Sequence, residues 1–244
     1  GTSESGTSES GTSESGTSES GGDVGPRVLF VGNSYTASND LPGMFAAASL
    51  SAGVGYEAEM HAIGGATVAD HVANPMLATT LAAGWDAVVI QAQSYEAIID
   101  YPGYAQAMHD FDALVDVQSP GARLIVFETW ARAPGHPLLA DLNMTSMQMQ
   151  AALSTAYAEA AAAVGAELAP VGQAWTQAGV EVPQLELHSG DGSHPSLAGS
   201  FLACAVFVGV ITEVGASTSE YTPPGMADVD ADQLEAIADA ITLP

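Results

Sequence analysis

Short runs of β-branched and apolar residues alternate along the chain with longer, Ala-rich stretches in which apolar positions recur at helical spacing. The runs Arg27–Val31, Tyr56–His61, Asp86–Gln91 and Arg123–Phe127 predict strands, with a weaker one at Glu167–Pro170. Between them the spacing predicts helices over Leu41–Ser51, Thr67–Ala83, Tyr104–Val117, Ser146–Val164 and Ser196–Thr212, and a last amphipathic one over Ala231–Ile241. Asp40 is placed to cap the first of these, with Pro42 in its opening turn. Strictly alternating strands and helices imply an α/β fold, a parallel sheet covered by helices on both faces. In such sheets ligands gather outside the carboxyl ends of the strands, and Ser34, Gly64-Gly65 and Gln93-Ser94 all follow predicted strand ends.

The first 20 residues break this pattern. Four copies of Gly-Thr-Ser-Glu-Ser contain no apolar residue, so they cannot bury enough surface to offset the entropy of ordering. Residues 1–22 are therefore expected to form a disordered tail, and residues 23–244 one domain, long enough for a full core and without an internal linker or repeat. The tail resembles the spacer that follows the anchor cysteine of bacterial lipoproteins. Together with a start at Gly1 that shows neither an initiator methionine nor a signal peptide, this leads us to expect an upstream segment, a lipid-anchored tether and an exported location, with an engineered or cytosolic tail as the alternative.

Charge narrows the choice of partners. The chain has 29 acidic residues against three arginines and no lysine, a formal charge of −26, and the four tail glutamates are a small part of it. A field of that sign repels phosphates and anionic headgroups, which argues against nucleic-acid substrates and anionic membranes. It suits a salty habitat, where screening relieves self-repulsion, and equally a surface selected for solubility. The single cysteine, Cys204, lies in the apolar run Phe201–Ile211, so no intrachain disulfide can form and a buried, inert thiol is expected. That run is too short to span a bilayer. His61, His71, His109 and His136 lack metal-ligand spacing, and no phosphate-binding glycine loop is present, so neither a metal nor a cofactor is expected.

Two short segments carry candidate chemistry. Gly32-Asn33-Ser34-Tyr35 follows the first strand directly, where a sharp turn can expose a hydroxyl and where the backbone N–H of Ser34 can point at a developing oxyanion. Gly, Asn and Ser are also common turn formers, so the segment alone reads equally well as a polar turn. Asp191-Gly-Ser-His194 places a carboxylate three residues before an imidazole, which could hold the ring while it accepts a proton from serine. His188 is the nearest competing base, without an acidic partner at that spacing. Trp85, Trp130 and Trp175 read as core or pocket wall, since the basic residues of a nucleic-acid stacking platform are missing.

These residues, in this order, resemble the SGNH (GDSL-type) hydrolase family, and within it the branch whose first block reads Gly-Asn-Ser-Tyr-Thr, as Gly32–Thr36 do here. The resemblance spans most of the chain and implies a flavodoxin-like three-layer α/β/α sandwich. It also implies cleavage of esters, thioesters or sugar acetyl groups. It maps the nucleophile onto Ser34, the second-block oxyanion glycine onto Gly65, and the last block onto Asp191 and His194. The third block departs from the family's Gly-x-Asn-Asp, because the chain reads Ile90-Gln-Ala-Gln-Ser-Tyr95. Gln93 is the candidate substitute for the missing asparagine donor; Gln91 is an alternative, and counting from Asp86 puts Tyr95 at the expected offset. The resulting expectation is an exported serine esterase with an acyl-enzyme at Ser34, acting on a small-molecule or carbohydrate ester such as an acetylated sugar. The rivals are a non-catalytic glycan- or protein-binding module on the same fold and an acyltransferase using the same serine.

Overall fold

A computed structural model describes residues 1–3 and 25–243. The predicted tail over residues 1–22 lies, beyond its first three residues, outside the described ones. Five strands, β1 (Arg27–Gly32), β2 (Glu57–Ala62), β3 (Ala87–Ile90), β4 (Arg123–Phe127) and β5 (Glu167–Ala169), form one sheet in the order β2-β1-β3-β4-β5. All four pairings are parallel. Eleven helices accompany them among the described residues: α1 (Ser34–Ala37), α2 (Leu41–Ser51), α3 (Val68–Val72), α4 (Pro75–Leu81), α5 (Glu96–Ile99), α6 (Tyr101–Gln118), α7 (Pro137–Asp141), α8 (Ser146–Val164), α9 (Val171–Glu181), α10 (Leu197–Thr212) and α11 (Asp228–Thr242).

The two-residue period of each strand sorts its side chains into two cores. Val28, Phe30, Val89, Ile125 and Phe127 face a layer made by α2, α9, α10 and α11. Their neighbours Leu29, Val31, Val88, Ile90 and Val126 face the opposite layer, built from α3, α4, α6 and α8. The result is the three-layer α/β/α sandwich. Helix α10 is apolar all round because it is covered all round: nearly every residue from Gly199 to Gly209 is buried. Cys204 lies within it, and burial raises its thiol far above the ordinary value, which keeps it protonated and inert.

Three local expectations need correction. The helix predicted over Thr67–Ala83 is two helices, because Pro75 cannot continue the first and Asn74 instead caps the second, accepting from Met76 N–H at 2.9 Å. Helix α9 was absent from the sequence reading, and two glycines, Gly172 and Gly179, lie within it. Gly172 is there for space: a Cβ would collide with the Thr129 carbonyl and the Gln150 amide. Finally, the segment after the third strand holds a short extra helix, α5, before α6, which begins at Tyr101 rather than at Tyr104, with the Asp100 side chain capping it.

Strand order determines where a site can form. From β1 the chain passes to β2 on one side and then to β3 on the other, so the loops leaving β1 and β3 diverge and open a crevice at their carboxyl ends. Ser34 follows β1 and Gln91–Ser94 follow β3.

Candidate active site

The turn that presents Ser34 is held from beneath. The side-chain oxygen of buried Gln91 accepts from Asn33 N–H at 3.0 Å and from the Thr36 hydroxyl at 2.9 Å. A Cβ on Gly32 would run into both Thr36 and Gln91, so glycine is required there by close approach. Asn33 Oδ1 caps α1 by accepting from Tyr35 N–H at 3.1 Å, while its Nδ2 reaches across to the Ala66 carbonyl at 3.2 Å. Ser34 thereby becomes the first residue of a helical turn, and its own N–H has no protein acceptor among the described residues.

The histidine loop comes from the far end of the sequence. Asp191 Oδ1 accepts from the N–H groups of Ser193 and His194, each at 2.9 Å, and from the Ser189 hydroxyl at 2.8 Å, which folds the loop on itself. Oδ2 is left for the ring and lies 2.5 Å from His194 Nδ1. His194 Nε2 lies 2.9 Å from Ser34 Oγ. With Nδ1–H donated to Asp191, Nε2 is the acceptor that a serine proton needs. Asp191 is held well below the usual carboxylate range, first by His194 and then by the loop N–H groups and Ser189, even though half of its side chain is exposed.

The competing base lies elsewhere. His188 Nε2 meets the Ala131 carbonyl at 2.9 Å, its ring packs edge-on against Trp175, and burial pulls its pKa down, so it is a neutral donor to backbone.

Two further loops border the serine turn. Gly65 sits at φ +72, which suits glycine, and its N–H has no protein acceptor among the described residues. The bond from Asn33 to Ala66 ties this loop to the serine turn. In the third loop the two glutamines separate cleanly. Gln91 is fully buried and spent on structure, its Nε2 donating to the Ala92 carbonyl at 2.5 Å. Gln93 is half-buried, and its Oε1 accepts from Tyr95 N–H at 3.0 Å, which orients the amide and leaves Nε2 without a protein acceptor among the described residues. Tyr95 begins the short helix, with no capping bond from its side chain. Glu96 links the loops, its Oε1 accepting from Val68 N–H at 3.1 Å and from Gln93 N–H at 3.2 Å, and burial pushes its carboxyl up to about 7.

Behind Ser34 and His194 stands an aromatic wall. Tyr35 stacks on Trp130, with ring centroids 4.7 Å apart, and Trp130 on Trp175 at 3.9 Å, while the His194 ring meets Tyr35 edge-on at 5.4 Å. Trp130 Nε1–H donates to the Ser193 carbonyl at 3.0 Å, anchoring the histidine loop. Sequence reading had assigned Trp130 and Trp175 to core or wall, and missed Tyr35, Glu96 and Arg132 as parts of the site. For Arg132 a signal was present: it follows the carboxyl end of β4, whereas the other two arginines open strands. Among the described residues no group of three His, Cys, Asp or Glu is arranged to hold a metal ion, and no helix is long and apolar enough to cross a membrane.

No protein-family model matches the chain, and no curated protein does. Among solved structures, a protein described as an SGNH hydrolase from Slackia heliotrinireducens is 31% identical, with 77% of this chain and 99% of that one covered at a TM-score of 0.68. At that identity and coverage, with this fold and this order of blocks, the chain belongs to the SGNH hydrolase family. A DUF4886 family protein from Bacteroides uniformis shares the fold at 20% identity, over 90% of this chain and 95% of that one, with a TM-score of 0.75. An acetylxylan esterase from Geobacillus stearothermophilus shares it at 15% identity, over 76% and 94%, with a TM-score of 0.50.

Proposed function

We propose that this hydrolase is a serine esterase that works through an acyl-enzyme at Ser34, with His194 as base and Asp191 as its orienting partner. The observation that carries the reading is the unbroken relay from Ser34 Oγ to His194 Nε2 and from His194 Nδ1 to Asp191, assembled from segments 160 residues apart. In the first step Ser34 Oγ bonds to the ester carbonyl carbon as His194 Nε2 takes its proton. The N–H groups of Ser34 and Gly65 and the Gln93 amide are the proposed donors to the resulting oxyanion, since each has no other acceptor among the described residues. Collapse breaks the bond to the alkoxide, which leaves with the proton from His194. A water, deprotonated by the same imidazole, then releases the acid and restores Ser34.

A short acyl group on a neutral polar carrier such as a sugar is the favoured substrate. The acidic surface disfavours anionic esters, and an acetylxylan esterase is built on the same fold. A concavity of about 340 Å³ is lined by Asn39, Asp40, Met44, Leu197 and Tyr221, and neither Ser34 nor His194 lines it. Asn39 Nδ2–H joins it to the histidine loop by donating to the Ser196 carbonyl at 3.0 Å. Its mix of amide, carboxylate and aromatic groups suits the hydroxyls and apolar faces of a carbohydrate leaving group.

The test is labelling with a fluorophosphonate, followed by turnover of nitrophenyl acetate and a panel of acetylated sugars. Ser34→Ala is expected to fold, to lose labelling, and to lose hydrolysis by orders of magnitude. A folded Ser34→Ala protein with full activity overturns the nucleophile, and a wild-type protein that neither labels nor hydrolyses any ester favours a binding module.

A further inference from the structure

Arg132 adjoins the site, and the mechanism above does not use it. Its side chain is buried, with 6% of the residue exposed, and no carboxylate pairs with it among the described residues. Arg27 and Arg123 each have a glutamate partner. An unpaired buried guanidinium is strongly disfavoured unless its N–H groups are used well. One N–H donates to the Tyr35 hydroxyl and another to Ser94 Oγ at 2.7 Å, and the guanidinium carbon lies 5.7 Å from the centre of the Tyr95 ring. Nε remains without a partner.

The positions of those partners give the arrangement its meaning. Tyr35 is the residue after Ser34, and Ser94 is the residue after Gln93. The Tyr35 hydroxyl also meets Ser193 Oγ at 2.9 Å, and Ser193 is the residue before His194. One planar cation therefore touches, directly or through a single hydroxyl, the neighbour of the nucleophile, of the amide donor and of the base.

We propose that Arg132 is a positioning residue for the esterase reaction: its rigid fork sets the distance between the serine turn, the Gln93 loop and the histidine loop. This rests on the esterase reading. Arginine suits the task because two donors leave one plane in fixed directions, whereas a lysine ammonium offers a single flexible point of attachment. The surrounding segment does not depend on the guanidinium for its own course. The Arg132 carbonyl accepts from Ser146 Oγ at 2.6 Å, Ala133 N–H donates to the Gly192 carbonyl at 2.9 Å, and the Ala131 carbonyl meets His188 Nε2. A change of side chain should thus leave the loop in place and loosen only the registry of the three neighbours.

The experiment measures kcat and KM on one ester, with circular dichroism and the thermal midpoint, for wild type, Arg132→Met, Arg132→Lys and Arg132→Ala. A misplacement of about 1 Å costs on the order of 100-fold in rate, so Arg132→Met is expected to lose about that much kcat while KM stays within a few-fold. Arg132→Lys should recover part of the loss. Arg132→Ala should regain kcat when guanidinium ion is added at millimolar, non-denaturing concentration, and not when sodium chloride is added at the same ionic strength. A merely structural role would lower the midpoint without rescue by either route. If Arg132→Met does not fold, Tyr35→Phe and Ser94→Ala remove the two partners one at a time, and each should lower kcat with KM kept. An active, labelled wild type whose folded Arg132 variants keep full kcat, or lose it with no rescue by lysine or guanidinium, overturns this role alone, as do wild-type values in both partner variants. A wild type that neither labels nor hydrolyses overturns the esterase reading and this role with it.

Discussion

The two edges of the sheet treat the same residue type in opposite ways. At the amino-terminal edge, Arg27 opens β1 and meets Glu59 at 2.9 Å, the carbonyls of Ala83 and Gly84, and the face of Trp85. Arg123 opens β4 and forms a two-pronged pair with Glu167 at 2.8 and 2.7 Å, while also donating to the carbonyls of Ile211 and Val210. Both cations are neutralised, partly wet, and remote from the serine. At the carboxyl-terminal edge, Arg132 is buried and has hydroxyls for partners instead of carboxylates. A charge placed to stabilise a fold is paired where water can share the cost of desolvation. A charge left unpaired in the interior marks a place where geometry mattered more than stability.

The sharpest way to break that comparison is to strike the carboxyl-terminal edge at its base. His194→Ala is expected to lower kcat by roughly 10⁴- to 10⁶-fold on a nitrophenyl ester with the midpoint little changed, and Asp191→Asn to do less. His188→Ala should instead leave kcat near wild type. A dead His188→Ala beside a working His194→Ala would reassign the base.

The third loop offers a finer cut. Removing one oxyanion donor typically costs 100- to 1000-fold, so Gln93→Ala is expected to lose about that much kcat with little change in KM. Gln91→Ala should show its effect first in stability, because its amide oxygen satisfies the buried Asn33 N–H and Thr36 hydroxyl. Steady-state kinetics and thermal melts on the two variants separate these outcomes, and near-wild-type kcat for Gln93→Ala would leave the hole to the backbone donors.

At the opposite edge the expectation inverts. Arg123→Met should cost about 1 kcal/mol of stability in urea unfolding, as exposed pairs do, and should leave kcat unchanged. A loss of kcat there would mean that the two edges are coupled.

The smallest effect concerns pH. Burial pushes the carboxyls of Glu96 and Glu235 up to about 7, with Asp232 and Asp239 adding to the shift at Glu235. Both carboxyls bind a proton more tightly folded than unfolded, where the ordinary value is 4.5. Folding therefore takes up protons at these two carboxyls between about 4.5 and 7, so their contribution to stability falls as pH rises through that window. His61, His71 and His188, whose pKa values burial lowers from 6.5, act in the opposite sense within the window, while Asp191 and Asp70, both held low, do so only as pH drops below the ordinary 3.8. Melting curves from pH 5 to 8 on wild type and Glu235→Gln should show a shallower slope in the variant. Added sodium chloride should raise the midpoint throughout, by screening the acidic surface.

Much of this protein was determined by local sequence alone. Short apolar, β-branched runs placed all five strands within a residue or so, because parallel strands covered on both faces need apolar residues on each. The Ser34 turn and the Asp191–His194 loop could be singled out locally because each depends on neighbours within a few residues, a glycine that permits a close turn or a carboxylate three positions from an imidazole, whereas the oxyanion role of Gly65 came only from the family resemblance. Tertiary structure decided what depends on distance across the chain. It broke the helix at Asn74-Pro75 and made a helix around Gly172, whose missing side chain reads as weakness in sequence and is clearance in space. It also separated Gln91 from Gln93, residues alike in composition and two apart, by burying one beneath the serine turn and leaving the other's amide unspent. Above all it chose among three arginines, because whether a cation is paired, wet or buried depends on which loops the sheet order brings together, and a linear sequence does not carry that information.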